Sequence, residues 1–400
     1  MPEAVIVATA RSPIGRASKG SLVDVRPDDM AATIVRAVLD KVPALDPQEV
    51  EDLIMGCGQP GGESGYNVAR VVAILAGMPD VPGVTVNRYC SSSLQTIRMA
   101  AHAIKAGEGD VFVAAGVETV SRYVNGAADT GPHNQVFADS EARTAERTLG
   151  GGDDWTPPTG LPDIYIAMGQ TAENVAELEH VTRQEMDEFA ALSQQRATAS
   201  LERGFWEREI TPITTPDGTV VTKDDGIRPG TTVEGLANLK PVFRPDGTVT
   251  AGNACPLNDG AAAVVVMSDT RAAELGIAPL ARVVASGVSG LNPEIMGLGP
   301  VEACRQALSR AGMTIEDVDL VEINEAFAAQ VVPSAKHLDI PWDKLNVNGG
   351  AIAVGHPFGM TGARIMTTLI NGLQDADKTI GLESMCVGGG QGMAMIIERL

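Results

Sequence analysis

The chain presents one order of strands and reactive residues twice, and this repetition limits the folds open to it. Cys90 follows the second apolar segment of the first half, whereas His356 and Cys386 follow the second and third segments of the second half. A helix is predicted after each of the first two reactive turns, at 94–105 and 361–373. Strands that alternate with helices indicate βαβ units and a mostly parallel sheet, with chance similarity of two such units as the alternative. The strand-like segments are 50–55, 84–87 and 110–116, then 318–323, 345–348 and 378–382.

The stretch between the two halves has a different composition. Residues 122–165 are rich in Gly, Asp, Thr and Pro and predict a long loop region. Two helices are predicted next, at 171–179 and 183–203, the second with a capping box formed by Thr182 and Glu185. We interpret 122–250 as an inserted subdomain. Its later part carries the basic residues Lys223, Arg228, Lys240 and Arg244.

Composition excludes several classes of protein. The formal charge of −21 argues against binding to nucleic acid, which depends on basic side chains that neutralise phosphates. No apolar run approaches the roughly 20 residues of a membrane helix, and no secretory signal is visible. The five cysteines lack paired CxxC spacing, so neither a disulfide framework nor a zinc module is indicated. We therefore expect a globular protein of a reducing cytoplasm.

Cys90 is a candidate nucleophile because of its position before a helix. Its neighbours Ser91, Ser92 and Ser93 precede the apolar-periodic residues of the predicted helix. The exposed N–H groups of a helix start favour negative charge, so we expect a lowered pKa for this thiol. A small buried residue is the alternative interpretation.

His356 and Cys386 complete a set suited to acyl chemistry. Gly355 and Pro357 fix the backbone around His356, which is the natural base, although Gly-His-Pro is also a plausible turn. Cys386 precedes three glycines whose N–H groups suit an oxyanion hole. A nucleotide-binding loop would require a helix after these glycines, but 393–397 predicts a strand. The remaining histidines are expected at the surface: His102, His133, His180 and His337.

Two further interpretations concern Asn324 and a possible metal site. Asn324, directly after the strand that ends at Ile323, could orient a water or bind a substrate oxygen, or it could cap the next helix. Cys90, His356 and Cys386 could also form a metal site on paper. We expect no metal, because it would occupy the thiolate needed as a nucleophile.

Together these motifs resemble the thiolase family, the coenzyme A-dependent enzymes that make or cleave 3-oxoacyl-CoA. The match runs nearly from end to end, and the order and spacing of its last three motifs are highly specific. The matching segments are 8–15, 168–174, 250–254 and 258–262, then Asn-Glu-Ala-Phe-Ala at 324–328, Gly-His-Pro at 355–357 and Cys-Val-Gly-Gly-Gly at 386–390.

The resemblance implies a five-layered αβαβα fold of two similar halves with an inserted loop domain. The N-terminal half would comprise 1–121 with 251–270, the CoA-binding loop domain 122–250, and the C-terminal half 271–400. A homotetramer built from tight dimers is also implied. Coenzyme A and acyl-CoA would be substrates, with no permanently bound cofactor.

The resemblance also implies roles for matched residues. Cys90 would be the acylated nucleophile, activated by His356. His356 would hold the thioester oxygen together with a water positioned by Asn324. Cys386 would be the acid/base, and the N–H groups of Cys90 and Gly388 would form a second oxyanion hole. Contacts to CoA or substrate would come from Arg228, Met168, Ala254, Cys255, Ala326 and Phe327.

Three residues depart from the family pattern. Ser93 replaces a common Gly, Ala167 stands where short-chain members often carry His, and Cys255 replaces a Ser that touches pantetheine. From Ala167 we expect a pocket that accepts more than acetoacetyl. A ketoacyl synthase shares the fold but pairs its Cys with two His, or with His and Asn, so Cys386 favours a thiolase. A non-catalytic CoA- or lipid-binding relative would be expected to lose reactive residues. The direction of the reaction stays open.

Overall fold

The strands form one long sheet path that consists of two similar halves. In this computed structural model, which describes residues 2–123 and 130–400, the path runs β10-β11-β12-β9-β1-β8-β5-β3-β4, and β2 pairs with β8. A separate hairpin joins β6 and β7. The strands are β1 (Ala4–Arg11), β2 (Gly15–Arg16), β3 (Asp52–Gly56), β4 (Gly83–Val86), β5 (Val111–Thr119), β6 (Ile213–Thr214), β7 (Val220–Val221), β8 (Asn258–Ser268), β9 (Ala281–Gly290), β10 (Leu320–Ile323), β11 (Ile380–Val387) and β12 (Gln391–Arg399).

The helices cover both faces of this sheet path and fill the space between its halves. None of those within the described ranges is both long and apolar enough for a membrane span. They are α1 (Pro27–Asp40), α2 (Val68–Leu75), α3 (Ser92–Ala106), α4 (Ala138–Arg147), α5 (Met168–Leu178), α6 (Arg183–Glu202), α7 (Val233–Ala237), α8 (Asp269–Glu274), α9 (Gly299–Ala311), α10 (Ala328–His337), α11 (Ala351–Val354) and α12 (Thr361–Asp375).

The predicted repeat is confirmed by the strand order. The order β3-β5-β8-β1 of the first half recurs as β10-β11-β12-β9 in the second. The halves meet where β1 pairs briefly with β9, at Val5 and Ile6. Helices α3 and α12 contact each other between the halves, α1 packs on the outer side of β8, and α9 packs on β9 and β12. The result is a layered α/β arrangement.

The side chains of β5 alternate between two helical layers, one on each face of the strand. Val113 and Val117 belong to the cluster shared with α1 and α2, whereas Phe112 and Ala114 belong to the cluster shared with α3 and α12. Successive side chains of a strand point to opposite faces, so a strand buried on both faces is apolar throughout. Glu118, the one charged residue of this strand, is fully buried.

Two expectations about the sheet are wrong. The sheet is mixed, not mostly parallel, because β8 and β12 run antiparallel to both of their main neighbours. Residues 345–348 form no strand and retain a single parallel bridge between Val321 and Leu345. Asn346 interrupts the ladder, since its φ is +46° and its side chain binds the N–H and C=O of Ile323.

The segment between β5 and β8 is more helical than its composition predicts. Helix α4 lies inside the predicted loop region 122–165, of which 124–129 fall outside the described residues. The capping box of Thr182 and Glu185 is confirmed at the start of α6. The basic residues of this segment do not share one surface, because Arg244 is buried and bonded to Glu177 and Asn174.

Candidate active site

Cys90 lies in a tight turn just before α3. The turn, Tyr89–Ser91, is a short 3-10 helix, and Tyr89 adopts a left-handed φ of +42°. This turn contacts both β11 and the turn Phe358–Met360, so it lies where the two halves of the fold meet. Cys90 itself is 7% exposed. The sequence therefore places the thiol at the interface between the halves.

His356 is buried and held by one hydroxyl group. Its Nδ1 lies 2.6 Å from Oγ1 of Thr361, the first residue of α12. That hydroxyl donates its hydrogen to the carbonyl oxygen of Pro357 at 2.8 Å, which leaves its oxygen to accept from Nδ1–H. This network assigns the proton to Nδ1 and leaves Nε2 with a lone pair.

Asn324 continues β10 and contacts the imidazole. Its N–H donates to the carbonyl oxygen of Ser384, and its Nδ2 lies 3.3 Å from Nε2 of His356. Its buried Oδ1 has no partner among the described protein atoms. The capping alternative is wrong, because α10 begins at Ala328 with Phe327 as its N-cap.

Cys386 is inside β11, opposite Gly392 of β12, and is fully buried. The hairpin 388–390 joins these two strands, and both Gly389 and Gly390 have φ of +76°. A side chain at Gly390 would also clash with the carbonyl oxygen of Leu291. The glycine run thus builds a tight hairpin between two strands, and the nucleotide-loop alternative is excluded by β12.

Burial dominates the electrostatics of these groups. It raises the pKa of the Cys90 thiol to about 11, whereas the N–H groups of Gly388 and Cys90 act in the opposite direction. The expected lowering of this pKa is therefore wrong, because loss of water outweighs the helix start. Burial, followed by the charge of Arg364, lowers the pKa of His356 to about 3. Both groups are neutral near pH 7.

The raised pKa of Cys90 predicts how alkylation depends on pH. Because only the thiolate reacts, and its fraction grows tenfold per unit below the pKa, the iodoacetamide rate at Cys90 should rise about tenfold per unit from pH 7 to 9. Peptide mass spectrometry at timed intervals measures this rate. A rate that is already level at neutral pH would contradict the prediction and indicate an ion-paired thiolate.

The three thiols near this junction form a group. The negative charge of a Cys90 thiolate raises the pKa of both Cys255 and Cys386, after the larger effect of burial, and Cys255 acts likewise on Cys386. All five cysteines of the chain are free. Among the described residues no cluster of three or more His, Cys, Asp or Glu is arranged to hold a metal ion.

A pocket of about 450 Å³ opens at Cys90 and Gly388. Most of its lining is apolar or aromatic, and the ring of Tyr165 stacks on His133 at its rim. Ligand pockets are commonly concave and mostly apolar with few polar groups. Further lining comes from Tyr89, Ile164, Ile166, Ala167, Met168 and Phe358.

Four of the predicted CoA-contact residues contact one another in two pairs. Ala254 forms a bridge with Phe327, and the N–H of Cys255 donates to the carbonyl oxygen of Ala326 at 3.0 Å. Met168 lines the pocket itself. Arg228 is exposed in a loop anchored to Gln194 and is not among the described residues that line the pocket.

Glu118 and Thr361 are site residues that sequence reasoning missed. Glu118 accepts hydrogen bonds from the N–H groups of Gly58 and Gly359, at 2.7 and 2.8 Å. Its negative charge raises the pKa of the Cys90 thiol, as a smaller effect than burial. Burial raises the pKa of Glu118 itself. In the sequence, Glu118 can be recognised as a lone carboxylate in an otherwise uncharged strand. Thr361 can be recognised only as a hydroxyl residue five positions after His356.

Comparison with known proteins decides which protein family the chain belongs to. The family profiles "Thiolase, N-terminal domain" and "Thiolase, C-terminal domain" match residues 4–270 and 277–399. The chain belongs to the thiolase family. It is an acyltransferase of the thiolase type, and the fold class inferred from the motifs is confirmed.

The relatives match over their whole length. A 3-ketoacyl-CoA thiolase of Aeromonas hydrophila is 44% identical over 409 residues, with both chains fully covered. A beta-ketoadipyl-CoA thiolase of Acinetobacter baylyi is 43% identical, again with full coverage. The crystal structure of the Bacillus anthracis acetyl-CoA acetyltransferase superposes with a TM-score of 0.86 at 40% identity. It covers 100% of this chain and 99% of that one.

The structure accounts for Ser93, one of the three departures from the thiolase pattern. Its side chain is fully buried between α3 and α12, where its Oγ accepts a hydrogen bond from the N–H of Ala363 at 2.9 Å. Gly116 provides space for it, since a Cβ there would lie 2.6 Å from that of Ser93. Ser93 therefore serves helix packing and does not line the ligand pocket.

We expect Thr361→Val to lower kcat about 10- to 100-fold with little change in KM. The valine cannot accept from Nδ1–H of His356, so a buried donor loses its partner and the tautomer is no longer fixed. Steady-state kinetics measure the split between kcat and KM. Thr361→Ser keeps the hydroxyl and should restore most of kcat, whereas equal losses in both variants would point to packing alone.

Proposed function

We propose that this thiolase cleaves 3-oxoacyl-CoA with CoA to acetyl-CoA and a shortened acyl-CoA, and catalyses the reverse condensation. The proposal rests on one observation: Cys90, Cys386, His356 and Asn324 lie at a single junction between the two halves. His356 contacts Asn324 directly, and the turn of Cys90 packs against β11 and the Phe358–Met360 turn. Fatty acid β-oxidation is the proposed context.

In the cleavage direction, Cys90 attacks the 3-keto carbon as Nε2 of His356 takes the thiol proton. The bond between C2 and C3 then breaks, and its electrons form the enolate of acetyl-CoA. The S–H of Cys386 donates its proton to C2, which completes acetyl-CoA and leaves an acyl group on Cys90. A neutral imidazole and a protonated second thiol suit these roles, and both follow from burial.

The second half-reaction reverses these proton movements. Incoming CoA loses its thiol proton to the Cys386 thiolate and attacks the acyl group on Cys90. The bond between the acyl carbon and Cys90 breaks, and the departing Cys90 thiolate takes back the proton held by His356. The N–H groups of Cys90 and Gly388 are proposed to hold the thioester oxygen of that acyl group as it gains charge. His356 and Asn324 are proposed to hold the enolate oxygen, with a water on Asn324. The pantetheine arm would pass Cys255, Ala254, Ala326 and Phe327, and Arg228 would contact the nucleotide.

The pocket supports acyl chains longer than acetoacetyl. Its lining near Cys90 includes Ile164, Ile166 and Phe358, and Ala167 leaves room there. Each buried methylene contributes about 0.8 kcal/mol, so two more carbons should raise kcat/KM about 15-fold.

A homotetramer and a cytoplasmic location remain parts of the proposal. Tyr66, which is 98% exposed near the edge strand β4, supports assembly into an oligomer.

Thiolysis rates for acetoacetyl-, 3-oxohexanoyl- and 3-oxodecanoyl-CoA test this specificity. We expect kcat/KM for 3-oxohexanoyl-CoA to exceed that for acetoacetyl-CoA about 15-fold, and Ile164→Ser to reduce this advantage. Val136→Ser, at an exposed position outside the pocket lining, serves as the control. Highest activity on acetoacetyl-CoA would contradict the proposed chain length, and no thiolysis of any substrate would contradict the function.

A further inference from the structure

A second concave site lies on the C-terminal half of α3, away from the catalytic thiol. Arg98, His102 and Lys105 follow one another at spacings of four and three residues, which places them on one face of the helix. Together with Arg310 at the end of α9 they line a groove of about 280 Å³. The segment Val283–Ser286 of β9 forms another wall, with Ala101 and Met395. Arg98 is eight residues, or about 12 Å of helix, beyond Cys90.

The cations of this groove are not neutralised by the protein. None of the four forms an ion pair within residues 2–123 and 130–400, and no carboxylate of those residues lines the groove. This is unexpected in a chain that has 51 acidic and only 30 basic residues. Four cationic or titratable side chains therefore line the groove without a neighbouring negative charge.

Neutral oxygens hold these side chains in place and leave donors free. Nε of Arg98 donates to Oγ of Ser286 at 3.1 Å, and Nζ of Lys105 donates to the carbonyl oxygen of Val283 at 3.3 Å. Arg310 donates through Nη1 to the carbonyl oxygen of Ser286. Both terminal nitrogens of Arg98 have no partner in the described part of the chain.

The side chains are close enough to repel one another. Burial, followed by the charges of Arg88 and Arg310, lowers the pKa of Arg98. Burial, followed by Arg98, Lys105 and Arg310, lowers the pKa of His102. An anion bound among them would replace this repulsion with attraction and would use the free guanidinium donors.

We propose that this groove binds a small, multiply phosphorylated anion, such as the di- or triphosphate of a nucleotide. Planar guanidinium groups recognise phosphate oxygens through paired hydrogen bonds, and the groove presents two of them with a lysine. Its volume is near the lower end of ligand pockets and suits a compact ligand better than a protein surface. The site is separate from the pocket of Cys90 and does not depend on the function proposed above.

Isothermal titration calorimetry with inorganic tripolyphosphate at low ionic strength tests the site. We expect Arg98→Gln and Arg310→Gln each to weaken binding at least tenfold. Arg305→Gln is the matched control: Arg305 is also exposed on α9 and donates to a carbonyl oxygen, but it lies outside the groove. Arg228→Gln controls for phosphate bound at the proposed CoA site. Both controls should stay within twofold of wild type.

Thermal unfolding gives a second readout that does not depend on catalysis. Without ligand, the Arg98→Gln/Arg310→Gln variant should unfold at or above the wild-type Tm, because two repelling charges are gone. Tripolyphosphate should raise the Tm of the wild type and of Arg305→Gln, but not that of the double variant. Equal affinities in wild type and double variant, or no binding to the wild type, would overturn the proposal.

Discussion

Cys90→Ala should prevent acetylation by acetyl-CoA and lower thiolysis by roughly 10⁴-fold or more. The variant removes the atom that carries the acyl group, so no remaining group can divide the reaction into two steps. The cost to folding should be small, because the side chain is small and Ala occupies the same backbone turn. Mass spectrometry of the intact protein after incubation with acetyl-CoA detects the added acetyl group.

The control for this prediction is Cys304→Ala. Cys304 is fully buried on α9, which packs on β9 and β12 and not on the Cys90 turn, so its loss should leave acetylation intact. Peptide mapping is needed as well, since Cys255 and Cys386 both lie within electrostatic reach of Cys90. An acetyl group on either of these thiols in Cys90→Ala would contradict the assignment of the nucleophile.

The sequence predicts the site more fully than it predicts the sheet. Reactive residues in glycine- or serine-rich turns can be recognised locally, and the repeated order of elements brings their turns to one junction. Strand direction depends on which strands become neighbours, and the antiparallel partners of β8 and β12 include β1 and β9, which lie far from them in the sequence. Helix α4 is not predicted from the sequence because alanine is the only apolar residue type in its segment, ADSEARTAER.

The error about the Cys90 pKa has a physical cause that sequence cannot supply. Two N–H groups act to lower the pKa of this thiol, that of Cys90 itself before α3 and that of Gly388 in the hairpin between β11 and β12. Their effect is smaller than that of burial, which depends on how two distant halves close over the thiol. The tautomer of His356 is fixed within the second half, by Thr361 five residues further along the chain, and Asn324 of the same half reaches the imidazole across 32 residues.

Cys386→Ala should separate acetyl transfer to Cys90 from the cleavage and formation of the carbon–carbon bond. The variant keeps Cys90 and His356, so acetyl transfer from acetyl-CoA to Cys90 should continue within about tenfold of the wild-type rate. Carbon–carbon bond cleavage and condensation should fall about 10²- to 10⁴-fold, the range expected for loss of a general acid or base. Exchange of the acetyl-CoA methyl protons with deuterated water, followed by NMR, measures the proton-transfer step directly.

Cys255→Ala is the matched control for that experiment, because its thiol lies in the same group and burial raises its pKa as well. Position along the fold distinguishes the two thiols: Cys386 is in β11, which contacts the Cys90 turn, whereas Cys255 is on a loop that bonds to Ala326. We therefore expect proton exchange to persist in Cys255→Ala and to disappear in Cys386→Ala. The reverse result would transfer the acid/base role to Cys255, and loss of exchange in both variants would mean that the proton passes through both thiols.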